Sequence, residues 1–160
     1  SVPKENLLGE EGKALNTVSE VIDLATLAIS AEAVGIMQKM NELTLDYTKT
    51  REQFGQALSK FQALQHRMVD TFMVHEQTKS LLLMAAAKMN DKAADTSKSI
   101  SALKYQIGSA AKLIGEESIQ LHGGMGVTEE MSIGHYFKRL TTIRTIFGNS
   151  DYHLKRYSSL

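Results

Sequence analysis

The sequence predicts an all-α fold, an up-down bundle of three long helices with one or two shorter helices closing it. Three observations carry that expectation. Apolar residues recur at three- and four-residue steps through most of the chain, which lines them up on helix faces. The one proline, Pro3, stands at the very start, so no later residue lacks the N–H a helix needs. Gly123-Gly124-Met125-Gly126 and Gly148-Asn149 then divide the remainder, because glycine dominates positive-φ stops.

Residues Ser1 to Gly12 read as an extended lead-in ending at Gly9 and Gly12. From Val18 the pattern is helical: Ile22, Ala25, Ile29, Ala33, Ile36, Met40, Leu43 and Tyr47 share one face. That helix, about 30 residues long, runs to Lys49 or Arg51 before Phe54-Gly55 breaks it. Ser59 is a candidate N-cap for a second helix with Phe61, Leu64, Met68 and Phe72 on its face. Its far end, Leu81 to Ala87, is an unbroken apolar run and predicts cover on most sides. Asn90-Asp91 marks a turn, and Asp95 or Thr96 can cap a third helix. Its stripe is Ile100, Leu103, Ile107, Ala110, Ile114 and Leu121. A shorter helix around Gly134–Arg144 and a terminal helical turn complete the chain. Short loops make the long helices alternate in direction.

At 160 residues this is one domain, with residues 1–15 as a lead-in and 16–160 as the bundle. Eighteen basic and eighteen acidic residues cancel, which leaves no electrostatic footprint for nucleic acid or an anionic membrane. The absence of cysteine excludes disulfides, a thiolate zinc site and a cysteine nucleophile, and agrees with a reducing, cytoplasmic location. No stretch reaches the roughly 18 apolar residues of a membrane span, and the first residues do not read as a signal peptide.

Metal and nucleotide motifs fail on inspection. No Glu-x-x-His pair is present for a di-iron bundle, and His75-Glu76 is followed by Lys79 where a zincin needs its second histidine. Gly9-Glu-Glu-Gly12-Lys13 is too short for a phosphate loop, and Gly124-x-Gly126 meets Glu129 where a third glycine belongs. Met37, Met40, Met68 and Met84 fall in apolar stretches and read as core.

Two segments carry more. One is Tyr47-Thr-Lys-Thr-Arg51-Glu-Gln53-Phe54-Gly55-Gln56, followed by Phe61-Gln62-Ala-Leu-Gln65. The other is Gln120-Leu-His122-Gly123-Gly124-Met-Gly126-Val-Thr-Glu-Glu130. Together they resemble the C-terminal helical domain of the acyl-CoA dehydrogenase family, over nearly the whole chain. His135-Tyr-Phe-Lys-Arg139 and Phe147-Gly-Asn149 resemble a bacterial branch of it. The resemblance implies a full-length enzyme whose helical N-terminal domain and β-domain precede this chain. It implies FAD as cofactor, an acyl-CoA thioester as substrate, and assembly into tetramers through this domain. Arg51, Gln53 and Phe54 would reach a neighbour's FAD, and Gln120, Gly123 and Gly124 would line the same dinucleotide. The chemistry suits those roles: an arginine fork matches a diphosphate, and glycines let backbone N–H groups approach an anion. His122 and His135 read as structural.

The family's catalytic base is a glutamate beyond the glycine loop. Counted without gaps that position is Phe147, and with a one-residue insertion Gly148. The family's alternative base position, on the first long helix, corresponds to Ala25. Asp23 lies about 200° around the helix from it, and Glu32 about 10 Å along the axis. The only acidic side chain after Glu130 is Asp151, which makes it the weak candidate for a non-standard base. Three readings stand: a dehydrogenase using such a base, a partner subunit that completes a catalytic homologue's site in a hetero-oligomer, and an unrelated helical interaction domain.

Overall fold

A computed structural model describes all residues, Ser1–Leu160. Five α-helices make the fold: α1 (Ala14–Thr50), α2 (Gln62–Asn90), α3 (Thr96–His122), α4 (Ser132–Ile143) and α5 (Ser150–Ser159). Short 3₁₀ turns occupy Lys4–Asn6, Leu58–Lys60 and Gly123–Val127. The only extended pairing is a two-residue hairpin between β1 (Glu52–Gln53) and β2 (Gln56–Ala57). The expected all-α bundle is therefore present, closed by two short helices.

α2 runs antiparallel to α1, as Asn41 against the Thr71 carbonyl and Thr48 against Met68 show. α3 returns parallel to α1: Ser97 meets Asp23 near one end, and Tyr47 meets His122 near the other. α3 is the spine of the domain, with fourteen of its 27 residues buried. Every residue of its expected stripe, from Ile100 to Leu121, is in the interior. Two glycines let its neighbours come close. A β-carbon on Gly115 would stand 2.9 Å from the Phe137 ring, and one on Gly108 would collide with Ser150.

α1 begins four residues before Val18, and its expected face is buried only in part: Ala33 and Met40 are in the core and Ile29, Ile36 and Leu43 pack against it, while the first turns differ. Ile22 is 42% exposed, and Val18, Val21 and Leu24 also face outward. The buried line is Thr26, Ser30, Ala33, Met37, Met40, Thr44 and Thr48. Its hydroxyls satisfy themselves locally: Thr26 donates to the Ile22 carbonyl, Ser30 to Thr26 and Thr44 to Met40, each at 2.7 Å. A small side chain that carries its own acceptor can be buried without the penalty of an unpaired polar group.

Two expectations for α2 are also corrected. Ser59 lies in the 3₁₀ turn before the helix, and Phe61 occupies the N-cap position without a side-chain bond. The run Leu81–Ala87 buries only Ala85; Leu83 and Met84 are exposed, as is Phe72 farther back. Within one chain α2 has helices on its inner side alone, so the outer positions of an apolar run stay uncovered. Asp95 sits at the N-cap of α3 but spends its carboxylate on Lys88, 2.5 Å away. No helix is long and apolar enough to cross a membrane.

α5 folds back over α3 and pins it with charge. Arg156 makes two bonds to Asp23, at 2.6 and 2.9 Å, and a third to Ser101. Lys104 lies wholly inside, its Nζ donating to the Ile143 carbonyl at 2.8 Å and to Gly148 at 3.1 Å. Burial pushes the Lys104 ammonium down to about 8.

Candidate functional site

α1 closes where the Arg51 N–H reaches the Tyr47 carbonyl at 2.8 Å. The chain then turns through the hairpin, whose tip, Phe54-Gly55, has positive φ at both residues (55° and 81°). That is the conformation of a two-residue turn matching the twist of its strands. α3 closes at Gly123, with φ 59°. One contact brings these two ends together. The Tyr47 ring stacks on His122 at 4.4 Å between centroids, and its hydroxyl donates to the His122 carbonyl.

The result is a cavity of about 490 Å³. Arg51, Gln53, Gln120, Gly123 and Gly124 all line it, so five of the six expected cofactor contacts converge from two distant segments. Phe54 does not line it. It stands at the hairpin tip, 90% exposed and edge-on to Phe61. The cavity also takes in Tyr47, Arg67 and His122, which sequence reasoning gave no part in binding. Tyr47 read as one more member of an apolar stripe, and Arg67 belongs to no motif.

The electrostatics favour an anion. Arg51 is exposed and no carboxylate of the chain pairs with it, while Arg67 is held by Glu117 at 2.5 Å. His122 adds no charge: burial pushes its imidazole below the usual value, and Nδ1 donates to the Ser118 carbonyl at 2.7 Å. The glycines supply the approach. A β-carbon on Gly124 would meet nothing within 4 Å, and its φ is not in the left-handed region. Neither packing nor backbone conformation within the chain explains a glycine there, whereas an external group lying against the peptide does. Gly126 differs, since its β-carbon would stand 2.7 Å from the Ile119 carbonyl. These donors, an unpaired guanidinium, two carboxamides and bare backbone, fit a dinucleotide phosphate.

The residues considered for proton transfer lie apart from this cavity. Asp151 is exposed on the first turn of α5. Phe147 and Gly148 form the preceding turn, both with positive φ. Ala25 is half-buried on α1, and Glu32 is committed to Arg139 of α4 through bonds of 2.5 and 2.7 Å.

Residues 13–158 match the family described as acyl-CoA dehydrogenase, C-terminal domain. The short-chain specific mitochondrial acyl-CoA dehydrogenase of Rattus norvegicus is 33% identical over 144 residues, which is 89% of this chain and 35% of that protein. The structure of butyryl-CoA dehydrogenase from Megasphaera elsdenii superposes with a TM-score of 0.92 at 28% identity, covering 99% of this chain and 41% of the other. A structure of PigA with FAD and proline gives a TM-score of 0.91 at 28% identity over 99% of this chain and 41% of PigA. The chain thus spans well under half the length of each relative.

Proposed function

Since the chain belongs to the acyl-CoA dehydrogenase family, as its C-terminal domain, we propose that it serves a full-length FAD-dependent acyl-CoA dehydrogenase by completing the flavin site and joining subunits. The observation that carries this reading is the convergence of Arg51, Gln53, Gln120, Gly123 and Gly124 on one cavity, where no carboxylate of the chain pairs with the Arg51 guanidinium. FAD, when bound, supplies the acceptor for the hydride leaving the substrate's β carbon. The chain's own part is to hold that group. Arg51 grips a phosphate through its planar fork, Gly123 and Gly124 leave open space in which that phosphate can lie against the backbone, and the two glutamines orient the remainder. Phe54, projecting from the hairpin, reaches a flavin held mainly by a neighbouring subunit. The uncovered outer face of α2, with Val69, Phe72, Met73 and Leu83, supports assembly of subunits through this domain.

Dehydrogenation also requires a base for the proton α to the thioester carbonyl. At the two positions the family uses, this chain has Phe147 or Gly148 and Ala25, none of which accepts a proton. That observation favours a second reading, in which this subunit completes the cofactor site of a catalytic homologue and does no proton chemistry itself. Asp151→Asn in the full-length protein separates the two. Under the partner reading, bleaching of the flavin by butyryl-CoA is unchanged. A loss of about 100-fold with flavin retained makes Asp151 the base instead.

A further inference from the structure

The turn between α4 and α5 is held in an unusual way. Phe147 is a non-glycine residue at φ 57°, and Gly148 follows at 104°. The carbonyl of each is captured by a buried side chain. His153 donates from Nε2 to Phe147 at 2.9 Å, and Lys104 donates from Nζ to Gly148 at 3.1 Å. Both side chains are 1% exposed. Lys104 also bonds the Ile143 carbonyl, so one ammonium ties the end of α4 to the turn. The Phe147 ring, in contrast, faces outward.

Stability alone does not account for this arrangement. No carboxylate of the chain bonds Lys104, and a buried charge without a counter-ion is disfavoured relative to an apolar side chain of equal volume. His153 leaves Nδ1 buried without a partner. A left-handed phenylalanine persists only where its surroundings over-determine it. Two groups kept at such a disadvantage, both spent on adjacent carbonyls of a strained turn, point to a shape that matters.

We propose that Lys104 and His153 are positioning residues, which fix the direction in which residue 147 projects from the domain. The significance of that direction rests on the dehydrogenase reading, in which Phe147 or Gly148 stands at the position of the family's proton acceptor. The clamp itself can be tested without flavin or substrate.

The test is hydrogen exchange of the full-length protein, followed by mass spectrometry over residues 144–150, in Lys104→Met, His153→Leu and His153→Gln. Removing either donor should speed exchange of that segment about tenfold or more while segments of α3 between 107 and 121 stay protected. His153→Gln should restore slow exchange, because a carboxamide N–H can reach the same carbonyl. Unchanged exchange in both donor-free variants overturns the proposal. So does faster exchange spread through α3 with glutamine no better than leucine, which would make the two groups ordinary core. If Lys104→Met does not fold, the His153 pair decides by the same criteria. Adding butyryl-CoA to the flavin-loaded wild type should slow exchange of the segment further. Failure of that arm alone removes the dehydrogenase reading and leaves the clamp standing on the variants.

Discussion

The two ends of α3 treat polar groups in opposite ways. Toward its start, Ser97, Ser101 and Lys104 meet Asp23 and Arg156 or the backbone around Ile143 and Gly148, and the charges there, buried at Asp23 and Lys104 and half-buried at Arg156, are bonded within the chain. At its finish, Gly123 and Gly124 open onto a cavity where Arg67 is held by Glu117 but the exposed Arg51 guanidinium and the Gln120 carboxamide have no partner in the chain. Charge spent inside the chain is architecture. Donors left unspent around a concave surface are a request for an external anion. The difference predicts that substitutions at the first end reduce stability and those at the second reduce ligand retention.

The largest effect should follow Asp23→Ala. It leaves the half-buried Arg156 beside Ser101 without its counter-charge, and we expect a loss of about 3 kcal/mol in guanidinium denaturation. A change near zero would mean that this end is not architectural. Next come Gly126, which packs beside the second end without lining the cavity, and Arg51, which lines it. Gly126→Ala forces a β-carbon against the Ile119 carbonyl and should cost about 1–3 kcal/mol. Arg51→Ala should leave the unfolding midpoint in place and weaken flavin retention about tenfold or more, as the loss of charge-assisted hydrogen bonds to phosphate requires. Equal flavin content in that variant removes Arg51 from the site.

The smallest effect is one of pH. Burial pushes the His153 imidazole below its usual value, with Lys104 and Arg156 adding to the shift. The folded state thus holds back a proton that the unfolded chain takes up near pH 6.5. Stability from this group is complete above about pH 6.5 and declines as pH falls toward the depressed folded value. His153→Gln should flatten that part of the stability profile; His122, shifted in the same direction by burial, leaves a residue of it.

Much of this was legible in the sequence, for reasons that vary by helix. α3 is wrapped on several sides, so each apolar letter at helical spacing turned inward and its stripe was read correctly. α1 was read only in part, because threonine and serine at 26, 30, 44 and 48 bond their own helix and enter the core beside Ala33 and Met40, while Ile22 is left at the surface. The apolar run at the end of α2 misled because apolar composition shows a need for cover without showing which molecule provides it. The convergence of Arg51, Gln53, Gln120, Gly123 and Gly124 on one cavity was anticipated through paired motifs, and periodicity had no means of anticipating it. Arg67 and the stack of Tyr47 on His122 depend on helices meeting in space, which no local signal encodes. The clamp of Lys104 on Gly148 was hidden for the same reason.

Gly124→Ala tests the central claim most directly, because nothing within the chain needs that position to be glycine. The measurement is flavin content per chain of the full-length protein, wild type against variant, together with the unfolding midpoint of each flavin-free form. The account predicts an unchanged midpoint, within about 0.5 kcal/mol in stability, and clear loss of flavin from the variant. Full flavin retention at an unchanged midpoint would contradict it, since the space before Gly124 would then hold no cofactor.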